Sequence, residues 1–164
     1  MPTPLSLRIS DIPGSSEKEG REGTIDVFEV EHSIYQPIDA TTGMRTGVRV
    51  HDPFRCLANI DKAMPALMKR LCTGGNILEV IVEYYRIDPK TRSETKYFEV
   101  TMRNARIVLI RPYVPNTLKP ENESLRHMVN YSFAYEEIEW KYIPDSMVEA
   151  DRWQAPKESG SASN

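Results

Sequence analysis

The sequence predicts an all-β fold with a single helix, and three observations carry that reading. Short runs rich in Val, Ile, Tyr, Phe and Thr recur between turn residues. One segment alone, residues 61–72, places its apolar residues at helical spacing. The chain has 164 residues, 40% hydrophobic and 27% charged, which suits one compact domain and leaves no material for a second core.

Leu5, Leu7 and Ile9 alternate with polar residues and predict the first strand, closed off by the polar loop from Pro13-Gly14-Ser15-Ser16 to Gly23. A second strand is expected over residues 24–35. Its apolar phase switches from Ile25 and Val27 to Phe28, Val30 and Ile34, which predicts a bulge near Val27 and suits a strand that bends around a barrel. Residues 37–52 carry Gly43, Gly47 and adjacent threonines, and read as a long loop with little apolar content. The next strand, residues 53–60, leads into the helix. There Met64, Leu67, Met68 and Leu71 share a face, with Asp61 as the expected N-cap, Pro65 in the first turn and Gly74 beyond the end.

Four further strands are expected over residues 77–87, 95–102, 105–111 and 128–143, the last long enough to bend. Asp88 to Ser93 forms a hairpin loop, and Pro112, Pro115 and Pro120 mark an extended crossing. Beyond Pro144 the pattern fades. The domain is therefore placed at residues 1–150, with residues 151–164 as a disordered C-terminal tail ending in the low-complexity run Lys157 to Asn164.

The net charge of −3, with both signs interspersed, gives no clustered basic face for nucleic acid or anionic membrane. Even the densest basic stretch, around Lys90, Arg92 and Lys96, is diluted by Asp88 and Glu94. The N-terminus lacks the pattern of a signal peptide, and the apolar run Ile77 to Tyr85 is broken by Glu79 and Glu83, so no membrane helix is expected. Cys56 and Cys72 read as two reduced thiols in a cytosolic fold.

Catalytic chemistry requires convergent polar groups, and none is legible. His32, His51 and His127, read as lying in a strand, a loop and a strand approach, have no metal-site spacing. Glu136 and Glu137 are neighbours on a strand and point to opposite faces, while Glu137 and Glu139 read with Lys141 as a solvated stripe. The residues call for no enzyme activity, cofactor or metal. The strand aromatics, among them Tyr84, Tyr85, Tyr131 and Tyr135, leave two readings open: ordinary core and surface positions, or a second face covered by another subunit.

The stretch Gly47-Val48-Arg49-Val50-His51-Asp52-Pro53-Phe54, the helix start Asp61-Lys62-Ala63-Met64-Pro65-Ala66-Leu67, and the closing Phe133-Ala134-Tyr135-Glu136-Glu137-Ile138-Glu139-Trp140-Lys141-Tyr142 together resemble the haemolysin-coregulated proteins (Hcp) of type VI secretion. Tyr97-Phe98 and Asn104-Ala105 fit the same order, and the N-terminal loop departs from it at Pro13 to Glu17. The resemblance implies a β-barrel of two antiparallel sheets with one flanking helix. It further implies rings of about six copies that stack into a tube through exposed loops. Partners would be further copies of the chain, a type VI spike protein, a contractile sheath, and secreted effectors carried in the lumen. Such a protein is cytoplasmic before firing and is then secreted without a signal peptide. The loop of residues 37–52 becomes the expected ring-stacking element, with Gly47, Arg49 and His51 as its candidate residues and Arg49 reaching a neighbouring subunit. The alternative is a monomeric or dimeric cytosolic β-barrel whose tyrosines line a pocket for a small ligand or peptide.

Overall fold

The computed structural model describes residues 3–152. In chain order its elements are β1 Leu5–Ile9, β2 Ile25–Glu31, β3 Ile34–Tyr35, β4 Val50–His51, β5 Phe54–Asn59, α1 Met64–Thr73, β6 Ile77–Ile87, β7 Glu94–Tyr113, β8 Met128–Ala134, β9 Glu137–Tyr142 and β10 Met147–Arg152. The main sheet runs β10-β9-β7-β6-β1-β2-β5-β8, and β8 pairs back onto β7. Strands β7, β6, β1, β2, β5 and β8 thus close an antiparallel barrel, which removes their open edges. Strands β9 and β10 continue outward from β7, and β3 with β4 forms a separate ribbon.

The alternation read at Leu5, Leu7 and Ile9 puts Leu7 and Ile9 in the barrel interior, which the other strands fill in the same way. Leu7, Val80, Val82, Val100, Met102 and Phe133 turn inward and are buried, so the interior is packed side chain and not a channel. The bulge expected near Val27 is present: Val27 faces Ala58, and the next pair is Glu29 with Leu57, leaving Phe28 as the extra residue. Phe28 is accordingly exposed.

The two strands expected at residues 95–102 and 105–111 are one strand, β7. Asn104 joins them in the left-handed region at φ 49°, a conformation asparagine tolerates, so the chain bends without ending. The first half of β7 pairs with β6 and β9, and the second half with β8. The strand expected at residues 128–143 does bend, and the bend breaks it into β8 and β9 at Tyr135 and Glu136. There the Asn104 Nδ2 donates to Glu136 Oε2 at 2.5 Å, and the Glu136 backbone N–H donates to the Arg103 carbonyl.

Helix α1 lies against β7 and buries Leu67, with Met64 and Leu71 packed beside it. Asp61 is not its N-cap. That position is Ala63, without a side-chain cap, while Asp61 binds the backbone N–H groups of Ala63 and Ser15 and ties the N-terminal loop to the helix entry. Gly74 closes the helix at φ 70°, as the glycine stop predicts.

The tail expected over residues 151–164 starts too early. The Pro144-Asp145 turn, with Ser146 at φ 51°, reverses the chain, and Asp151 and Arg152 complete β10 opposite Ile138 and Glu137. The rest of that tail, residues 153–164, lies outside the described residues.

One row of directly facing residues crosses four strands as Glu79, Arg103, Glu137 and Arg152. Arg103 lies 3.7 Å from Glu79, 3.4 Å from Glu137 and 3.1 Å from Glu139, and Arg152 lies 3.2 Å from Glu137. The row holds the β9–β10 extension to the barrel by charge alternation. These groups are part-exposed, so Arg103→Ala should cost about 1 kcal/mol at low salt. Denaturation at about 1 M salt should shrink that difference, because screening there reaches about 3 Å.

Candidate functional site: the arm and its clamp

The stretch read as a loop is a β-hairpin arm that leaves the barrel where β5 begins and β8 ends. Ile34 faces His51 and Tyr35 faces Val50 in the ribbon, and farther out Ile38 bridges Arg45. At the tip the Asp39 carboxylate accepts the backbone N–H groups of Thr41 and Thr42 at 2.7 and 3.0 Å, which holds it below the usual carboxylate range. Gly43 and Gly47 both adopt left-handed φ near 70° at the turns, which explains these two glycines without a binding role. The arm leaves Ile38 61%, Met44 68% and Val48 69% exposed. Three apolar side chains standing in water on a well hydrogen-bonded hairpin form a contact surface that none of the described residues covers.

A polar clamp fixes the arm's base. Arg49 donates through Nε and Nη2 to the two carboxylate oxygens of Asp151 at 2.6 and 2.8 Å, and Nη2 also reaches the Arg152 carbonyl at 2.6 Å. This is the two-pronged geometry for which a guanidinium is suited. His51 sits in β4 and not in a loop. Its Nε2 lies 2.7 Å from Asp151 Oδ2, and its Nδ1 lies 2.6 Å from the Tyr135 hydroxyl. The same hydroxyl lies 2.9 Å from His32 Nε2. One arrangement of protons makes the three contacts of this trio with both rings neutral: His32 Nε2–H donates to Tyr135, Tyr135 donates to His51 Nδ1, and His51 Nε2–H donates to Asp151.

The Arg49 hydrogen bonds hold the Asp151 carboxyl below the usual range despite its partial burial, and they raise Arg49 in turn. Burial, and then the nearby His51, push the His32 imidazole below its ordinary value. Burial, and then the Asp151 charge, push the Tyr135 phenol up. Asp52, at the same junction, accepts the Ser33 hydroxyl at 2.5 Å. The Tyr135 hydroxyl and the two imidazoles hold β4, β10 and the β8–β9 corner together as one structural unit.

Of the three residues expected to serve the loop, Gly47 makes a turn, while Arg49 and His51 converge on Asp151. In the folded chain Arg49 reaches β10 of its own subunit, because a carboxylate from the same chain already fills its fork. Sequence reasoning missed Asp151, Tyr135 and His32. The only local signal for Asp151 was the Pro-Asp turn at residues 144–145 with alternating Val148 and Ala150 beyond it. Cys56 is buried, which pushes its thiol up, and Cys72 is exposed; both are free. Among the described residues no three His, Cys, Asp or Glu side chains converge as a metal site, and no helix is long and apolar enough to cross a membrane.

A second face is left open on the barrel. In two adjacent rows, Glu31, Arg55, Ser132 and Leu109, then Glu29, Leu57, Asn130 and Arg111, side chains of β2, β5, β8 and β7 point outward together. Glu29, Glu31, Arg55 and Arg111 form no ion pair among the described residues, unlike the paired row that ends at Arg152.

The family described as "Type VI secretion system effector, Hcp" matches residues 7–142. The chain belongs to the Hcp family. A curated relative, the "Major exported protein" of Pseudomonas aeruginosa, is 30% identical over 146 residues, spanning 89% of this chain and 84% of the relative. Among solved structures, an Hcp protein superposes with a TM-score of 0.83 at 24% identity, covering 93% of this chain and 99% of that one. The Hcp1 protein of the E. coli EAEC 042 pathovar gives a TM-score of 0.79 at 31% identity, covering 94% and 99%. The all-β barrel with one flanking helix is thus an Hcp fold, and the chain is a type VI secretion Hcp protein. The residues matched by the family, 7–142, include the arm, β5, α1 and the β8–β9 corner and end before β10.

Proposed function

We propose that this Hcp protein is a structural tube subunit: about six copies close into a ring, and rings stack into a conduit that is secreted with effectors in its lumen. The observation that carries the proposal is the arm, which exposes Ile38, Met44 and Val48 on a hairpin whose base is clamped to the barrel. A rigid arm meets a neighbour at small entropic cost, because its geometry is set before contact. The apolar end of the opposite side supports a head-to-tail arrangement: Val114, Leu118 and Leu125 are exposed in the crossing between β7 and β8, at the other end of those strands. Head-to-tail contacts of this kind generate rings and stacks. The open charges at Glu29, Glu31, Arg55 and Arg111 suit a cargo-facing wall. Spike protein, contractile sheath and effectors are the expected partners, with a cytoplasmic residence before firing and export afterwards. The role is mechanical, with no catalytic step and no cofactor.

The test changes the arm's contact side chains and spares its clamp. In a chain carrying Ile38→Ser, Met44→Ser and Val48→Ser together, the unfolding free energy should stay within about 0.5 kcal/mol of the parent, as for exposed positions generally. Stacked rings should disappear from electron micrographs, and secretion should be lost. A parent chain that sediments as a monomer or dimer at micromolar concentration would overturn the ring and favour a small binding barrel.

A further inference from the structure

Four polar side chains form a cluster at the arm's base. Its members are set by geometry: one tyrosine hydroxyl stands between two imidazoles, at 2.6 Å from His51 and 2.9 Å from His32, and His51 leans on Asp151 at 2.7 Å. We propose that this trio is a pH-sensitive latch that holds the arm to the barrel near neutral pH and loosens it when both histidines carry a proton.

The reason is hydrogen-bond arithmetic. With both rings neutral, all three contacts are made in the order already given. A first proton costs no contact: His51 Nδ1 becomes a donor to Tyr135, and the Tyr135 hydroxyl turns to His32 Nε2, which accepts. The second proton makes His32 a donor as well. Two cationic rings then aim N–H groups at one oxygen, and the Tyr135 hydroxyl proton has no acceptor within the trio. A half-satisfied polar network is worse than none, and like charges across one oxygen repel.

The surrounding charges do not remove this conflict. Arg49 from the arm and Asp151 from β10 neutralise each other. Asp52, from the junction of β4 and β5, favours a charged His32 but is outweighed by burial and by His51. Glu136 from the β8–β9 corner is engaged by Asn104, and Arg106 from β7, which lines the adjoining cleft of about 370 Å³, adds positive charge. The sign follows: His32 is depressed in the folded chain, so the unfolded or arm-released chain binds more protons. The latch contributes fully above the ordinary histidine value near 6.5 and is lost as pH falls below it. Asp151 stays ionised through that window, so the Arg49 contact remains and the arm pivots on it.

The experiment measures amide hydrogen exchange in the isolated full chain, so it succeeds or fails independently of ring stacking. Between about pH 7.5 and about pH 5, after correction for intrinsic exchange, protection of Tyr35, Val50 and Asp52 should fall about tenfold while the barrel strands keep theirs. His32→Asn, which cannot take the second proton, should show no such fall. Tyr135→Phe, which removes the shared oxygen, should leave the arm weakly protected at both values. Unchanged arm protection in the parent, a parallel loss in the barrel strands, or an undiminished fall in His32→Asn would each overturn the latch.

Discussion

Replacing Phe133 with alanine lowers the unfolding free energy by about 3–5 kcal/mol, the range for deleting a buried aromatic ring. Phe133 is fully buried in β8, faces Phe54 across one seam and Ile107 across the other, and stacks beside Tyr131 at 6.3 Å between ring centroids. Strand β8 is the one that closes the barrel, so the cavity opens on both seams at once and the walls cannot collapse from one side alone. Against a total stability of about 5–15 kcal/mol the loss is about a fifth or more, and it should appear as a large drop in the denaturation midpoint. Phe28→Ala is the matched control: its ring stands outside the bulge, 56% exposed, and should cost under about 0.5 kcal/mol. Equal losses in the two variants would mean that the barrel core is not where the alternation puts it.

That contrast was partly legible in the chain. The phase switch at Val27 announced the bulge, and the alternation of Leu5, Leu7 and Ile9 announced β1, because a strand with one buried face has a register that sequence can fix. Helix α1 followed from its apolar spacing and from Gly74. Strand β7 was divided in two because Asn104 and the polar residues around it look like a break, and only pairing on both sides carries the chain through a left-handed residue. The arm was read as a loop since β3 and β4 are two residues each and turn few side chains inward.

The site was less legible still. Its bonds join residues that lie far apart along the chain: His32 and His51 to Tyr135, and Arg49 to Asp151. No local pattern marks such partners, and each side chain taken alone reads as solvated or as a core histidine. Strand β10 was missed because its only buried support comes from one side, through β9, so charge and apolar residues alternate weakly.

Asp151 therefore separates the two views of the chain's end. If the fold stopped at residue 150, a chain ending at Ala150 would be as stable as the full protein. The clamp instead requires that it be less stable, because the Arg49 fork and His51 Nε2 are left facing a vacated site. A chain ending at Arg152 keeps both the carboxylate and the carbonyl that Arg49 uses, and should unfold with the parent. Asp151→Ala should match the shorter truncation. Asp151→Asn should fall between, since one amide oxygen still accepts but the charge that strengthens both contacts is gone. The sign of the pH dependence adds an independent check. Asp151 is held below the usual carboxylate range, so its contribution is present above the ordinary aspartate value near 3.9 and is lost as pH falls below it. Urea denaturation of the parent and the four variants at neutral pH and again near pH 3 gives the result: the differences should be present at neutral pH and should narrow in acid. Should the chain ending at Ala150 match the chain ending at Arg152 at neutral pH, the clamp is not a stabilising element and the arm is held by its ribbon alone.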